Sequence, residues 1–411
     1  MQPEQTPSPR KILLIDADAF YVAVARMLDP DGAGKAALLI VGGSAEGRGV
    51  VCSASYEARQ FGVRSAMPMS RALRLCPDAM CVPVPRGACS RKHREIRAVL
   101  ERFTPAVQSA SIDEWYLDMG GTDILYEGAS LDTLAHRIRN AVLAETKFYV
   151  SIGGGTSKLV AKLAVERAKP KPGTGANGVK IVEPGHELEF MRELMLADLP
   201  GVGPKAQARL AERGLRRVDE VLALDDAALS RLVGPNEATW LARRVRGIDE
   251  GEVGDREAAK SISRDDTFAT DIHDDLVLEG ELTELVARAG ADLRADGLTT
   301  RTITVRIRDK DFTTRQASRT VDESLASDRA IFTVARELLH KLRRARNVPA
   351  RLLGVGLSNF TEPPAKQLAL FGQAQQQLET AKDRDLSRAL DTVRERFGRK
   401  AIAPGRKPNR H

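Results

Sequence analysis

The chain opens on a polar stretch over residues 1–10 and then a short apolar run, Lys11-Ile12-Leu13-Leu14-Ile15, that ends in Asp16-Ala17-Asp18. An apolar run bounded by polar residues predicts a buried strand, here one that delivers carboxylates at its end, with Phe20 and Tyr21 following at once. Two more strands are predicted over 36–41 and 49–53, around the glycine-rich turn Gly42-Gly43-Ser44, and residues 56–61 have helical composition. A helix is expected over 86–103, then a hairpin of strands 106–112 and 115–118 with Asp113-Glu114 at its bend. Apolar spacing predicts a helix over 131–145, a strand over 148–152 and a helix over 158–169 that Pro170 stops. Strands mixed with helices in this way imply an α/β or α+β layer.

From 184 to 249 the pattern turns wholly helical around Leu199-Pro200-Gly201-Val202-Gly203-Pro204, a change of module. Residues 249–260 are acidic, contain glycine and lack large apolar side chains, so they read as a linker. Beyond it, strands over 261–268, 302–308, 315–321 and 352–359 and helices over 276–295 and 328–346 give a βαββαβ order. After 360 the chain is rich in Gln, Lys, Arg and Pro and reads as a flexible tail, interrupted by one apolar island at 367–371.

Bulk properties narrow the classes. With 411 residues the chain exceeds what one core organises, so several domains are expected. No apolar run is long enough to span a bilayer, and the proline-containing first ten residues carry neither a signal nor a transit pattern, which places the protein in the cytoplasm. The cysteines Cys52, Cys76, Cys81 and Cys89 lack paired metal-ligand spacing. A net charge of +7 fits a polyanionic partner, although acids are abundant too.

Asp16, Asp113 and Glu114 are the candidate chemistry. Nucleotidyl transfer uses two divalent ions about 4 Å apart, and hard cations are held by carboxylates. Adjacent strands of one sheet could bring the three acids together, and the Ala17 carbonyl could add a ligand. Taken one by one, the same acids could cap helices or sit in solvated turns. An apolar strand followed by Asp-x-Asp also opens phosphatases that use the first Asp as a nucleophile.

The later motifs arbitrate. Asp16-Ala17-Asp18-Ala19-Phe20-Tyr21, Ser55-Tyr56-Glu57-Ala58-Arg59, Ser111-Ile112-Asp113-Glu114 and Ala161-Lys162 occur in an order and spacing that resembles the Y-family DNA polymerases, in the DinB branch, over residues 10–371. The resemblance implies an α+β right hand: a ferredoxin-like palm (10–19 and 86–176), small fingers (20–85), a helical thumb with a helix-hairpin-helix (177–249), a linker (250–260), a βαββαβ little finger (261–360) and a flexible tail (361–411). It implies two Mg2+ ions on Asp16, Asp113, Glu114 and the Ala17 carbonyl, with these acids catalytic. Asp18 is assigned a structural role. It places Tyr56, Arg59 and Lys162 on the incoming deoxynucleoside triphosphate, beside Phe20, with Tyr21 as the steric gate under the sugar. Gly201, Gly203 and Lys205 would meet a phosphate of primer-template DNA through backbone amides at a helix start. Arg301, Arg306, Arg308, Lys310, Arg315 and Arg319 lie along or beside two candidate strands and could track a duplex backbone, as the family's little finger does, while the same alternation of charge is what any solvated sheet face displays. Gln367, Leu368, Leu370 and Phe371, in Gln367-Leu368-Ala369-Leu370-Phe371, resemble the peptide that docks on a sliding clamp.

The expectation is therefore a monomeric, low-fidelity DNA polymerase without proofreading, suited to damaged templates. The alternative is a catalytically silent relative that binds DNA and recruits partners; retention of all three acids argues against it. Three positions depart from the family pattern: Ala25 replaces a usual Glu, Ser157 a usual Asn or Asp, and Trp115 a usual small residue. The loop over 169–178 is also longer than the family's turn.

Overall fold

The computed structural model describes residues 9–170, 175–254, 259–361, 378–398 and 401–402. The chain divides into two compact units, residues 1–256 and 257–411. The first begins β1 (Ile12–Ala17), α1 (Phe20–Leu28), β2 (Leu39–Gly42), β3 (Val51–Ala54), α2 (Tyr56–Gln60), α3 (Met69–Leu75) and β4 (Met80–Val82). It continues α4 (Arg86–Leu100), β5 (Val107–Ser109), β6 (Glu114–Asp118), α5 (Leu131–Thr146), β7 (Val150–Gly155), α6 (Lys158–Ala168) and β8 (Val179–Ile181). Helices α7 (Glu187–Arg192), α8 (Pro204–Ala211), α9 (Val218–Leu222), α10 (Asp226–Val233) and α11 (Pro235–Arg244) close it.

Strand β1 is buried along its whole length because it is the centre of the sheet β5-β6-β1-β7-β8, covered on both faces. Alternation sorts its side chains. Leu13, Ile15 and Ala17 join the core shared with α4 and α5, while Ile12 and Leu14 pack on Ala161 and Val165 of α6. Asp16, two residues beyond Leu14, therefore lies on the α6 face. That helix sits very close to the sheet: a Cβ at Gly153 of β7 would fall 2.2 Å from the Val165 nitrogen and 2.3 Å from the Ala161 oxygen. A glycine there is what lets α6 bring its lysines over the strand ends.

Ser157, one of the three departures, is the N-cap of α6: its Oγ accepts from the Val160 N–H and donates to the Gly247 carbonyl at 2.8 Å. Ala25, the second, is buried on α1 against Val22, Ala33, Leu39 and Val41. Helix α1 itself is absent from the sequence reading. It starts at Ala19 in the left-handed region (φ 45°) with no side-chain cap, so it lacks the usual start signal. A small sheet, β3-β2-β4, packs with α2 and α3 in the stretch expected to form the fingers, and the segment from α7 to α11 is wholly helical as expected.

The second unit runs β9 (Ser261–Ile272), α12 (Asp275–Ala295), β10 (Thr299–Asp309), β11 (Thr314–Leu325), α13 (Asp328–Ala345) and β12 (Ala350–Thr361), the expected βαββαβ order, in a sheet β11-β10-β12-β9. Register separates the arginines that were grouped together. Arg306 and Arg308 share the solvent-facing side with Thr302 and Thr304, whereas Arg315 pairs across from buried Ile307 and turns back to Asp309 and the Leu342 carbonyl. Arg319, opposite Ile303, pairs with Glu337 of α13.

The tail is the clearest correction. Residues 378–398, read as flexible, hold a capped helix, α14 (Ala381–Phe397), whose Asp383 and Ser387 are buried. Glu379 accepts from the Ala326 and Ser327 N–H groups ahead of α13, and Asp391 pairs with Arg294. This docking is almost entirely polar, so apolar periodicity could not announce it. The island at 367–371 lies outside the described residues. Among the described residues no helix is long and apolar enough to cross a membrane.

Candidate active site

The strand register assembles the acids. Asp16 on β1 stands directly opposite Glu114 on β6, and the Ala17 N–H donates to the Asp113 carbonyl at 2.9 Å. Directly opposed residues present side chains to the same face. The hairpin bend is held by the Ser111 hydroxyl, which donates to the Asp113 carboxylate, and by Ala110 N–H bonding to the Glu114 carbonyl at 2.9 Å.

Two lysines from the α6 segment neutralise this pair. Lys162 on α6 is ion-paired with Glu114, and Lys169, just past its end, reaches Asp16 at 2.9 Å and Glu166 at 2.7 Å. Burial pushes the Asp16 carboxyl up to about 7 against the pull of Lys169, with the Glu114 charge adding to the rise. Burial would depress Lys169, but the Asp16 charge and the hydrogen bonds to Glu166 and Asp16 outweigh it and hold the ammonium above its usual range. Asp18 is also raised, chiefly by burial, and accepts from the Ser151 hydroxyl at 2.9 Å.

A cleft of about 390 Å³ runs from these acids to the fingers, lined by Asp16, Tyr21, Tyr56, Arg59, Asp113, Glu114 and Lys169 among others. Tyr56 is exposed, and the Arg59 guanidinium lies 5.1 Å over its ring while Arg59 Nε donates to the Ala54 carbonyl at 2.9 Å. Tyr21 packs edge-on against Phe20, centroids 5.8 Å apart, and Phe20 is buried in the floor. Lys169 lines the cleft itself, while Lys162 reaches it through its pair with Glu114. In the sequence Lys169 is only the last residue of a predicted helix, although the Lys169-Pro170 step marks where α6 must stop and a side chain is free to turn inward.

Carboxylates and a main-chain carbonyl are the donors a hard divalent cation takes, so the residues fit magnesium in kind. Among the described residues no three Asp, Glu, His or Cys side chains converge as a ready ligand set, and Glu114 and Asp16 pair with Lys162 and Lys169. In the helical segment, Gly201 has φ 98° and a Cβ there would meet the Trp240 ring at 2.8 Å. Gly203 caps α8 with Pro204 at its first position, and Gly203 and Lys205 are exposed.

Comparison with known proteins agrees with this layout. The family described as impB/mucB/samB matches residues 15–166, and its C-terminal domain matches 259–370. DNA polymerase IV of Dehalococcoides mccartyi is 35% identical over 399 residues, 97% of this chain and 98% of its own. DNA polymerase IV of Methanoculleus marisnigri is 36% identical, over 86% of this chain and 95% of its own. The chain belongs to the Y-family DNA polymerases, in the DinB branch. Among solved Y-family structures, a polymerase chimera of Dbh and Dpo4 superposes with a TM-score of 0.75 at 25% identity, over 86% of this chain and all of its own. DinB from Sulfolobus solfataricus gives a TM-score of 0.55 at 26% identity, with the same coverage. The family's activity is template-directed DNA synthesis, and its palm, fingers, thumb-like helices and little-finger sheet are the architecture found here.

Proposed function

We propose that the chain extends primers by magnesium-dependent nucleotidyl transfer at the Asp16–Asp113–Glu114 cleft, with low fidelity and a capacity to copy damaged templates. The observation that carries this reading is the register pair Asp16–Glu114, with Asp113 alongside, lining one cleft with Tyr56 and Arg59. Magnesium held by these three carboxylates and the Ala17 carbonyl would supply the charge that activates the primer hydroxyl and offsets the leaving pyrophosphate. The side chains do the rest. Arg59, Lys169 and the Tyr56 phenol offer donors to a triphosphate, charge-assisted where they are cationic. Lys162, held by Glu114, orients that carboxylate.

Tyr21, half-buried and braced by Phe20, is the proposed steric gate. Tyr21→Ala is expected to raise the relative use of ribonucleotides about a hundredfold, since only a clash is removed. Incorporation of matched dNTP and rNTP pairs measures it; an unchanged ratio would assign Tyr21 to packing alone. Primer-template DNA would be held by the α8 start through Gly201, Gly203 and Lys205, and by the solvent-facing side of the second unit's sheet.

The proposed clamp peptide, Gln367 to Phe371, falls outside the described residues, but its flanks are informative. Thr361 Oγ1 lies 2.9 Å from Ser324 Oγ, and the Leu378 N–H donates to Glu323, so the chain leaves and rejoins β11 at adjacent residues. Deleting 367–371 is expected to cut clamp-stimulated synthesis about tenfold, an avidity effect, with clamp-free extension unchanged. Equal stimulation of both proteins would remove the docking role.

A further inference from the structure

Trp115, the third departure, is fully buried, and alternation along β6 turns it away from the cleft toward α4. Its indole N–H has no acceptor among the described residues, so the position is not explained by hydrogen bonding. What the indole does hold is His93 of α4, stacked on it with centroids 4.9 Å apart and planes 25° from parallel.

His93 Nδ1 lies 2.8 Å from the carbonyl oxygen of Ile112. A carbonyl only accepts, so Nδ1 carries the proton. Nε2 lies 3.3 Å from the Ser109 hydroxyl, to whose oxygen Arg97 donates at 3.2 Å. Ser109 ends β5 and Ile112 immediately precedes Asp113. One imidazole thus ties both limbs of the bend that carries Asp113 and Glu114, from the face opposite Lys162 and Lys169.

We infer that His93, seated on Trp115, is a positioning residue that fixes the 109–114 bend so that Asp113 and Glu114 present their carboxylates into the cleft. The inference rests on the polymerase reading but concerns a residue that touches neither substrate nor metal. Ordinary core packing would need only the ring; positioning needs the donor at Nδ1. A His and a Trp at these places form a unit: the indole supplies a flat support that a small residue at 115 would not.

Two variants separate the roles. His93→Phe keeps a stacking ring and loses both polar contacts, whereas His93→Asn keeps a donor near the Nδ1 position and loses the ring. The measurements are steady-state primer extension, Mn2+ binding by titration calorimetry on the protein–DNA complex, and thermal melting. With His93→Phe, kcat is expected to fall about tenfold with nucleotide KM within about twofold, as misplacement of a reacting group predicts. Mn2+ affinity should weaken about threefold or more because its carboxylate ligands are less well held, with melting temperature little changed. His93→Asn should recover kcat to within about threefold of the parent. Parent-like kcat and Mn2+ affinity in His93→Phe would overturn the inference and assign the residue to packing; a His93→Asn loss equal to that of His93→Phe would also overturn it, because the retained donor would then restore nothing. If the parent itself does not extend primers, the polymerase reading fails separately, and unchanged Mn2+ affinity in His93→Phe still overturns the positioning role.

Discussion

Alanine in place of Asp113 or Glu114 is expected to lower magnesium-dependent primer extension by about three orders of magnitude or more, because each removes a charge that holds several kcal/mol of transition-state stabilisation in place. The two acids reach the cleft differently. Glu114 opens β6 opposite Asp16 and is paired with Lys162, whereas Asp113 sits in the bend with its carbonyl bound by the Ala17 N–H. Both side chains are only partly buried, and alanine leaves every backbone bond in place. Folding should therefore survive, and a melting temperature near the parent's is the control. Gel-resolved extension at saturating nucleotide measures the loss. Activity within tenfold of the parent in either variant would remove that residue from the metal assignment.

Asp16→Asn should lose activity to a similar extent, about a thousandfold, for the same electrostatic reason, and yet make the metal-free protein more stable at pH 8. The sign follows from its raised pKa. The folded state holds the Asp16 proton more tightly than the unfolded chain, whose group titrates near 3.8, because burial disfavours the carboxylate. This group therefore favours folding fully at acid pH, and the advantage is lost as pH rises from about 4 through 7, leaving an ionised, buried acid as a net cost above that range. Asparagine removes the cost. A shift of this size corresponds to a ceiling of about 4 kcal/mol, reduced because Lys169 keeps only Glu166 as a partner. Thermal melts of both proteins in chelator across pH 4–8 should show the variant ahead at pH 8 and the gap closing toward pH 4. A variant less stable than the parent at pH 8 would mean that the Lys169 pair outweighs the burial of Asp16.

The acids were legible because they punctuate strong apolar runs: β1 needs an unbroken buried stretch, and a charged residue at its end is conspicuous. The β5–β6 bend was legible for the same reason. What periodicity missed was set by tertiary contact. Strand β7 continues through Gly153, Gly154 and Gly155, residues that weaken isolated strands, because α6 lies too close to Gly153 and Gly155 for side chains and Leu13 and Ile181 crowd Gly154. Helix α1 has no capping residue, and α14 is fastened by Glu379, Asp383 and Asp391 rather than by an apolar stripe. Within the cleft, Lys169 and Lys162 could be told apart only in three dimensions. Both follow the same helix pattern, and the end of α6 decides which faces the fingers. Likewise His93 carried no signal of its own, since its partners Ser109, Ile112 and Trp115 lie 16 to 22 positions further along the chain.

Lys162 and Lys169 offset the charges of Glu114 and Asp16, which is how carboxylates at the end of a buried strand are accommodated. The docked α14 further implies that residues 378–398 are part of the second unit's stability, with Arg294 buried between Asp328 and Asp391.

The most direct test offers the purified chain a primed template and single deoxynucleotides in magnesium. Preferential addition of the nucleotide complementary to the template base is expected, arrested by chelator and lost in Glu114→Ala. Absence of templated addition, or addition that persists undiminished in Glu114→Ala, would contradict the polymerase reading.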